Sequence, residues 1–457
     1  MATIYVNPTA SGTGSGTIGD PYSSWASVTW VAGNTYLQAS GTTYSGVILV
    51  NVTGTQAAPI IVGSYDASTG LRTTGGSGRA RINGDNTRLT VRSGGAVHWV
   101  TFDNLEIFGT TGTSGQNGIA IYLGSSESSV SNDCTVSNCW IHDVTGLLSP
   151  GTDSDGIMAF GSRNKIVNNI IEDISCDGIW GQGNNFYIMG NTIRRVSVEN
   201  TRGDCVQLYG TTTLRNDGAY VAFNDLDHNN KESKQCIISG DATYSSNALI
   251  EYNVCRMATY AGSIATSCIM AEGPNSIVRG NVCQGGYLGV YLTSSNSVAC
   301  GNVVTGAVLG IQQGPSATGG KIYNNVVSEC SGSGIYSETD TTVAVKNNIV
   351  TRCDRGVSLA GGAAEDYNCF DGNSSDRWLL SGVASWGAND LFINPMNYMS
   401  DDFRLRYDVT SPLMNGGTYV AGAKLMNGRA RPGWTPVGAY MGVVPRATAA
   451  ARLARVG

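Results

Sequence analysis

The chain has 457 residues, of which 61 are glycine and only 14% are charged, against about 25% charged in ordinary soluble domains. Its formal net charge of −6 argues against a nucleic-acid-binding protein, because phosphate contacts require clustered Lys and Arg. No apolar run reaches about 18 residues, so we expect no membrane span, and the first residues lack the basic and apolar segments of a secretory signal.

Residues 1–90 show no clear period and are rich in Gly, Ser and Thr. A few strand-like runs occur, such as Val47-Ile48-Leu49-Val50. Because the open end of a sheet must be protected from edge pairing, we predict an N-terminal cap here, together with the first turns of a structure that repeats regularly after residue 90.

Residues 91–361 contain a repeat in which a small residue or Cys precedes Ile or Val. The interval is 22 residues from Ile157 to Ile179 and 21 from Ile269 to Val290. The pairs are Gly118-Ile119, Gly156-Ile157, Gly178-Ile179, Cys205-Val206, Cys236-Ile237, Cys268-Ile269, Gly289-Val290, Gly310-Ile311, Gly334-Ile335 and Gly356-Val357. Short alternating strands and polar turns at this period predict an all-β solenoid, a parallel β-helix, in which each turn of chain (a rung) pairs with the next.

A second pattern places an Asn after an alternating apolar stretch. It occurs at Asn104, Asn138, Asn169, Asn191, Asn224, Asn253, Asn281, Asn302, Asn325 and Asn348. Asn repeated in register predicts a buried amide ladder that satisfies the backbone groups of a turn. The 12 cysteines fall at repeat positions, so we expect small buried residues with free thiols rather than disulfides.

The repeat fades in residues 362–457, where Trp378 and Trp386 appear and the last residues become rich in Ala and Arg. We predict a C-terminal cap and tail for this segment.

Both ends of the chain carry the family resemblance. The opening Ile4-Tyr5-Val6-Asn7-Pro8 and the tail segments Asp402-Phe403-Arg404-Leu405 and Val437-Gly438-Ala439-Tyr440 resemble the pectate-lyase-like superfamily of right-handed parallel β-helix proteins. The chain also looks like a bacteriophage tail spike or depolymerase. This resemblance implies a bacterial polysaccharide partner (capsule, exopolysaccharide or O-antigen), a homotrimer, and a place on the virion tail or outside the cell.

Three consecutive rungs carry an Asp immediately before the Gly or Cys of the repeat: Asp155, Asp177 and Asp204. If the rungs are in register, these carboxylates stack about 4.8 Å apart, and like charges at that spacing raise at least one pKa. Asp-Gly is also good turn chemistry, which accounts for the first two positions but not for Asp204-Cys205. We predict that these three residues are catalytic.

The segments around the Asp column are longer than a compact rung requires. They bring His142, Arg194, Arg195, Glu199 and Tyr260 into loops, and long loops on a rigid scaffold commonly carry function. As substrate-binding residues we predict Trp180, Arg202, Gln207, Tyr209, His228, Lys231 and Lys234. The aromatic members would stack on the apolar faces of sugar rings.

Three reactions remain open at this stage. A glycoside hydrolase needs one protonated carboxyl group and one carboxylate, which a crowded Asp column supplies, and it needs no cofactor or metal. A polysaccharide lyase would use Lys231, Lys234 or Arg202 as base, with Ca²⁺ bound by stacked Asp residues, as in the β-helix pectate lyases that this pattern resembles. A non-catalytic glycan-binding adhesin or structural spike is the third alternative.

Overall fold

The computed structural model describes residues 1–113, 116–146, 154–198, 203–228, 234–258, 266–382 and 386–393. In these ranges the chain is built from short β-strands and a single 3-10 helix, Trp25–Ser27. No helix among the described residues is long and apolar enough to cross a membrane. The predicted tail beyond residue 393 lies outside the described residues.

The chain forms two compact units, residues 1–220 with 224–233, and residues 221–223 with 234–457. In each unit the strands fall into three sheets, here named A, B and C in the order in which the chain visits them. Neighbouring strands of these sheets lie one rung apart and pair in parallel, as in Ile157↔Ile179 and Val282↔Val303, whereas the short strand Arg72–Thr73 pairs antiparallel with Ile60–Tyr65. This arrangement is a parallel β-helix.

Unit 1 contains the following strands. Sheet A has Thr3–Val6, Thr35–Ala39, Ile60–Tyr65, Val100–Asp103, Thr135–Ser137, Lys165–Val167 and Tyr187–Met189. Sheet B has Thr43–Ser45, Ala80–Asn83, Leu105–Phe108, Trp140–Ile141, Ile170–Glu172, Thr192–Arg194 and Asp225–His228. Sheet C has Ile48–Val50, Leu89–Ser93, Ile119–Leu123, Asp155–Phe160, Ile179–Gln182 and Val206–Tyr209. Short extra strands are Arg72–Thr73, Thr110–Thr111, Val144–Thr145 and Asn216–Asp217.

Unit 2 is also built from three sheets, and strand Tyr220–Ala222 contains the point at which the chain is divided between the units. Sheet A has Leu249–Glu251, Ile277–Arg279, Val298–Cys300, Lys321–Tyr323, Ala344–Lys346 and Ala364–Asp366. Sheet B has Val254–Met257, Val282–Gln284, Val303–Thr305, Val326–Ser328, Ile349–Thr351 and Cys369–Asp371. Sheet C has Gln235–Gly240, Ser267–Ala271, Leu288–Leu292, Leu309–Gln313, Ser333–Ser337, Arg355–Ala360 and Ser375–Ser381, and a short strand is Ser245–Ser246.

The turn from sheet A to sheet B explains the Asn pattern. In the rung of Asn169, the preceding Asn168 adopts a left-handed backbone (φ 57°) that turns the chain sharply, and Asn169 is then buried. The Asn169 backbone N–H and side-chain Nδ2 both donate to Asn191 Oδ1 at 3.0 Å, and the ladder continues to Asn224 in unit 1. A second run in unit 2 joins Asn253, Asn281, Asn302, Asn325, Asn348 and Asn368. The predicted amide ladder is confirmed for these residues, except that Asn368 is a further member that the sequence prediction did not include.

Two predicted members do not belong to the ladder. Asn138 (φ 55°) holds the left-handed position before it, and Cys139 takes the ladder site, donating its N–H to Asn169 Oδ1 at 2.9 Å. Asn104 is also left-handed (φ 59°), and its amide bonds the loop at Gly76 and Ser77. Asn is favoured at a left-handed turn position as well as in a ladder, so the sequence pattern did not separate the two uses.

Inward-facing aliphatic residues form columns beneath the sheets. In unit 1, Ile121, Ile157, Ile179 and Val206 follow one another in register and are fully buried. Burial of such side chains stabilises the fold by about 1.5–3 kcal/mol each. All twelve cysteines are buried as well, in agreement with their predicted role as small core residues.

One part of the predicted register is wrong. Gly118-Ile119 was aligned with Gly156-Ile157, but the structure pairs Ile119 with Asp155 and Ile121 with Ile157. The error is two residues. Because side chains alternate with a period of two along a strand, a shift of two residues keeps the same face inward, and the apolar pattern does not reveal it.

Candidate functional site

The Asp column lies where three strands of sheet C begin. Ile157, Ile179 and Val206 are aligned on neighbouring strands of unit 1, and Asp155, Asp177 and Asp204 each precede them by two residues. The structure therefore brings the three Asp residues into one column on three successive rungs.

The three carboxylates are buried, with residue exposures of 1%, 3% and 0%. They also act as a ladder: the Asp177 N–H donates to Asp155 Oδ1 at 3.2 Å, and the Asp204 N–H donates to Asp177 Oδ1 at 2.6 Å. Hydrogen bonds from backbone N–H groups favour the charged carboxylate, whereas burial and like-charged neighbours favour the protonated form. The column thus combines a structural role with the charge crowding that a catalytic acid requires.

Cys176 lies beside this column. One ligand atom each from Asp155, Cys176 and Asp177 lies within 4.8 Å of the others, and all three residues are buried. Calcium takes six to eight oxygen ligands, whereas this group offers two carboxylates and a soft thiol. The donor set of Asp155, Cys176 and Asp177 therefore does not fit a calcium ion, which the lyase considered above would need.

The outward face of sheet C in unit 1 carries aromatic side chains. Trp180 lies in register with Gln207, and both are half-buried. The Trp180 ring packs against Phe160 with ring centroids 5.0 Å apart, and Phe160 contacts Tyr122 at 6.2 Å. Tyr209 is 37% exposed at the end of its strand. Flat apolar rings with polar neighbours suit the apolar faces of sugar rings.

The other predicted binding residues are dispersed. His228 is 2% exposed, and its Nε2 lies 2.8 Å from the Gly203 carbonyl oxygen. It therefore holds the backbone next to Asp204 instead of offering a surface for substrate. Lys234 is exposed and belongs to unit 2. Arg202 and Lys231 lie outside the described residues, as do Glu199 and Tyr260.

Three residues expected in walls around the Asp column lie on sheet B or just after its strands. Arg194 pairs with Glu172 at 2.6 Å, and Arg195 pairs with both Glu172 and Asp173. His142 stacks on Phe108, and the tilted ring of Trp140 lies 4.2 Å from it between centroids. Acidic and basic residues on neighbouring rungs neutralise each other here, so these positions stabilise the sheet B side and do not line the Asp column.

The sequence prediction overlooked Glu272 in unit 2. It follows strand Ser267–Ala271, two residues after the outward-facing Met270, and burial together with the nearby Asp241 raises the pKa of its carboxyl group. Burial, with a smaller effect of the Glu272 charge, raises the pKa of the neighbouring Tyr291. Extending the outward column of sheet C by one position, to the residue that follows each strand, would have found it.

Comparison with known proteins supports the fold. The family described as "Periplasmic copper-binding protein (NosD)" matches residues 190–376, which is less than half of the chain. No curated protein matches. The PL6 family alginate lyase AlyGC superposes with a TM-score of 0.55 at 13% identity, over 97% of this chain and 59% of that protein. A mannuronic acid specific polysaccharide family 6 lyase from human gut microbiota gives 0.51 at 14% identity, over 83% of both chains.

The chain is a right-handed parallel β-helix. The Dettilon tailspike protein also matches, at 12% identity over 84% of this chain and 68% of that one, with a TM-score of 0.45. At these identities the β-helix shares its fold with the two polysaccharide lyases, and its reaction must be argued from its own residues.

Proposed function

We propose that this β-helix degrades a bacterial surface polysaccharide by glycoside hydrolysis, on the outward face of sheet C in unit 1. The observation that carries the proposal is the aromatic face of Trp180, Phe160 and Tyr209 on the same three strands that begin with the Asp column. Sugar rings would stack on that face. Hydrolysis would further require access of the glycosidic bond to the carboxyl groups at the strand starts, which are 1%, 3% and 0% exposed.

The Asp column would supply the acid and the base. Hydrolases hold two carboxyl groups about 5–5.5 Å apart when they retain configuration and about 6.5–9.5 Å apart when they invert it. Adjacent rungs and next-but-one rungs of a parallel sheet, about 4.8 and 9.6 Å apart, come near both ranges. Asp177 lies on the middle rung, between Asp155 and Asp204, and is the residue that we propose as the acid.

A lyase is the second candidate, favoured by the exposed Lys234 at the start of strand Gln235–Gly240. A base must reach the proton it removes, and a half-buried or exposed lysine can do so. In either case the family resemblance suggests a homotrimeric tail spike, acting outside the cell on capsule, exopolysaccharide or O-antigen.

The experiment is a panel of bacterial capsular and O-antigen polysaccharides, followed both for new reducing ends and for ultraviolet absorbance of the unsaturated product of a lyase. Wild type is compared with Asp155→Asn, Asp177→Asn and Asp204→Asn. Reducing ends without absorbance, lost in the variants, support the hydrolase. Absorbance that is retained in the three Asp variants and lost in a Lys234→Ala variant would replace it with the lyase. Binding without cleavage would leave an adhesin.

A further inference from the structure

The last rung that the structure describes in unit 2 has charged residues where earlier rungs have apolar ones. Glu365 lies in register with the buried Val345 of the preceding rung, and Arg377 lies in register with the buried Val357. Asp390 follows along the chain, and the side chains of Glu365 and Asp390 are 0% and 1% exposed. We call Glu365, Arg377 and Asp390 the charge layer. Because a buried charge is costly unless it is paired, the balance of charge within this layer affects how the rung is closed.

The charge layer holds residues 386–393, here named the closing segment, on this rung. Asp390 Oδ1 accepts the Asn368 N–H at 2.6 Å, in the place that the next asparagine would take in the amide ladder. Glu365 Oε2 accepts the Gly387 N–H at 3.2 Å. Arg377 Nη2 donates to the Gly387 carbonyl oxygen at 2.9 Å and also pairs with Asp390. Each member of the charge layer therefore takes part in attaching the closing segment.

The closing segment also makes contacts that do not depend on the charge layer. It pairs with the rung through the isolated bridge Cys369↔Leu391. The Phe392 ring packs against Phe370 with ring centroids 5.8 Å apart, although Phe392 is 58% exposed. Segments with few buried apolar contacts and exposed hydrogen bonds open at low cost, so the closing segment is suited to open locally while the sheets stay paired.

One arginine serves two carboxyl groups in the charge layer. Glu365 Oε1 and Asp390 Oδ1 both accept hydrogen bonds from Asn368, at 2.7 and 2.6 Å, so the two carboxyl groups are close neighbours. Arg377 pairs with Asp390, while its Nε lies 3.7 Å from Glu365 Oε2 and has no hydrogen-bond partner among the described residues. A proton on Glu365 makes the layer neutral, and its loss leaves an uncompensated negative charge in the core. Burial and the neighbouring Asp390 raise the pKa of Glu365 to about 8, against the effects of Asn368 and Arg377, in agreement with this count.

The other ionisable side chains around Glu365 point away from it, have a partner or stay neutral. Three charged residues of the neighbouring strands point outward, because they alternate with buried residues: Lys346, Asp366 and Asp371. Asp376 accepts a hydrogen bond from Asn373 at 2.9 Å. Burial raises the pKa of Cys369 to about 12, so its thiol stays protonated. The groups that set the charge of this interior are therefore those of the charge layer.

We propose that the charge layer is a pH-sensitive latch, and that loss of one proton from it releases the closing segment from the last rung. Glu365 is fixed by its strand, Ala364–Asp366, whereas Asp390 belongs to the closing segment. Repulsion between the two carboxylates is therefore relieved by movement of Asp390 into solvent. Opening exposes Phe370 and the end of the amide ladder at Asn368. The proposal does not depend on the proposed polysaccharide activity.

The direction of the pH dependence follows from where the proton is held. The closed latch keeps the Glu365 proton up to a pKa of about 8, whereas a solvated glutamate loses it near 4.5. Opening between these values releases one proton, so the equilibrium constant for opening rises about tenfold per pH unit and levels off above the upper value. Below the lower value both forms keep the proton, and the latch is most stable there.

The test is hydrogen–deuterium exchange of the full-length protein between pH 5 and pH 9, corrected for the intrinsic pH dependence of exchange. Three backbone N–H groups of the closing segment donate to the rung and report its release, those of Gly387, Asn389 and Leu391. We expect the protection of this segment to fall about tenfold per pH unit up to about pH 8. A peptide that contains strand Lys321–Tyr323 of the same unit should keep its protection.

Two variants separate the latch from a general loss of stability. Glu365→Gln keeps the shape of the protonated side chain and has no proton to lose, so the protection of its closing segment should not change with pH. Asp390→Asn keeps the Oδ1 that accepts the Asn368 N–H and removes the like charge, so the pH dependence should shrink. The matched control is Glu329→Gln, at an exposed carboxyl group that pairs with Arg352 at 3.1 Å in unit 2, and it should behave as wild type does.

Circular dichroism confirms that each variant is folded. Protection of the closing segment that does not change with pH in wild type would overturn the proposal. The same fall in a folded Glu365→Gln variant as in wild type would also overturn it. If Glu365→Gln does not fold, an undiminished pH dependence in Asp390→Asn has the same meaning.

Discussion

Replacing Asn302 with Ala tests how much the amide ladder contributes to stability. Asn302 Oδ1 accepts the Asn281 backbone N–H and the Asn281 side chain, both at 3.0 Å, and its Nδ2 donates to the Val278 carbonyl oxygen at 2.9 Å. In the variant the Asn281 N–H and the Val278 oxygen lose these bonds inside the core. A buried polar group left without its partner costs about 1–3 kcal/mol, so we expect a loss of about 2–6 kcal/mol in the free energy of unfolding.

The measurement is urea denaturation followed by far-ultraviolet circular dichroism. The matched control is Ser295→Ala, in the exposed turn of the same rung, where the hydroxyl bonds Thr318 at 3.2 Å. That change should alter the free energy of unfolding by no more than about 0.5 kcal/mol. A loss below about 1 kcal/mol for Asn302→Ala would refute the reasoning, because it would mean that water or backbone shifts satisfy the exposed groups.

Three further predictions concern the candidate site and the second unit. Asp177→Asn should lower hydrolysis about 100-fold or more, as expected for loss of an acid or base, while thermal unfolding stays close to wild type. Trp180→Ala should weaken glycan binding by about 0.5–1.5 kcal/mol in calorimetry, because a stacking surface is lost. Burial and the neighbouring Asp390 raise the pKa of Glu365 from 4.5 to about 8, against the opposing effects of Asn368 and Arg377. The folded protein thus holds a proton that the unfolded chain releases, so this group's stabilising contribution is lost as the pH rises from about 4.5 through about 8. The Tm advantage of Glu365→Gln over wild type should therefore be larger at pH 9 than at pH 5, and an unchanged difference would contradict that assignment.

The repeat could be predicted from the sequence because every rung must place apolar side chains at the same interior positions. Ile157, Ile179 and Val206 occupy one buried column, so their spacing carries the rung length directly. Asn169 and Asn191 were readable for the same reason, since a ladder works only if each rung supplies the same amide.

The candidate site was only partly readable. The Asp column was visible because its members follow the repeat, but its burial depends on what the neighbouring turns cover. Arg194 and Arg195 form ion pairs with Glu172 and Asp173 on the previous rung, and these ion pairs hold the two arginines at sheet B. An ion pair of this kind forms only between residues that are stacked one rung apart. Because the loops differ in length, the sequence does not show which residues are stacked in this way.

The hydrogen bonds that the Asp side chains accept from backbone N–H groups determine how substitutions at Asp177 can be interpreted. Asparagine keeps the Oδ1 that accepts the Asp204 N–H at 2.6 Å, so Asp177→Asn preserves the ladder while removing an ionisable group. Alanine would remove both. A column that serves only as a ladder tolerates Asn and is destabilised by Ala, whereas a catalytic column loses its activity with either. Comparing the two substitutions at Asp177 therefore separates the structural role from the chemical one within a single side chain.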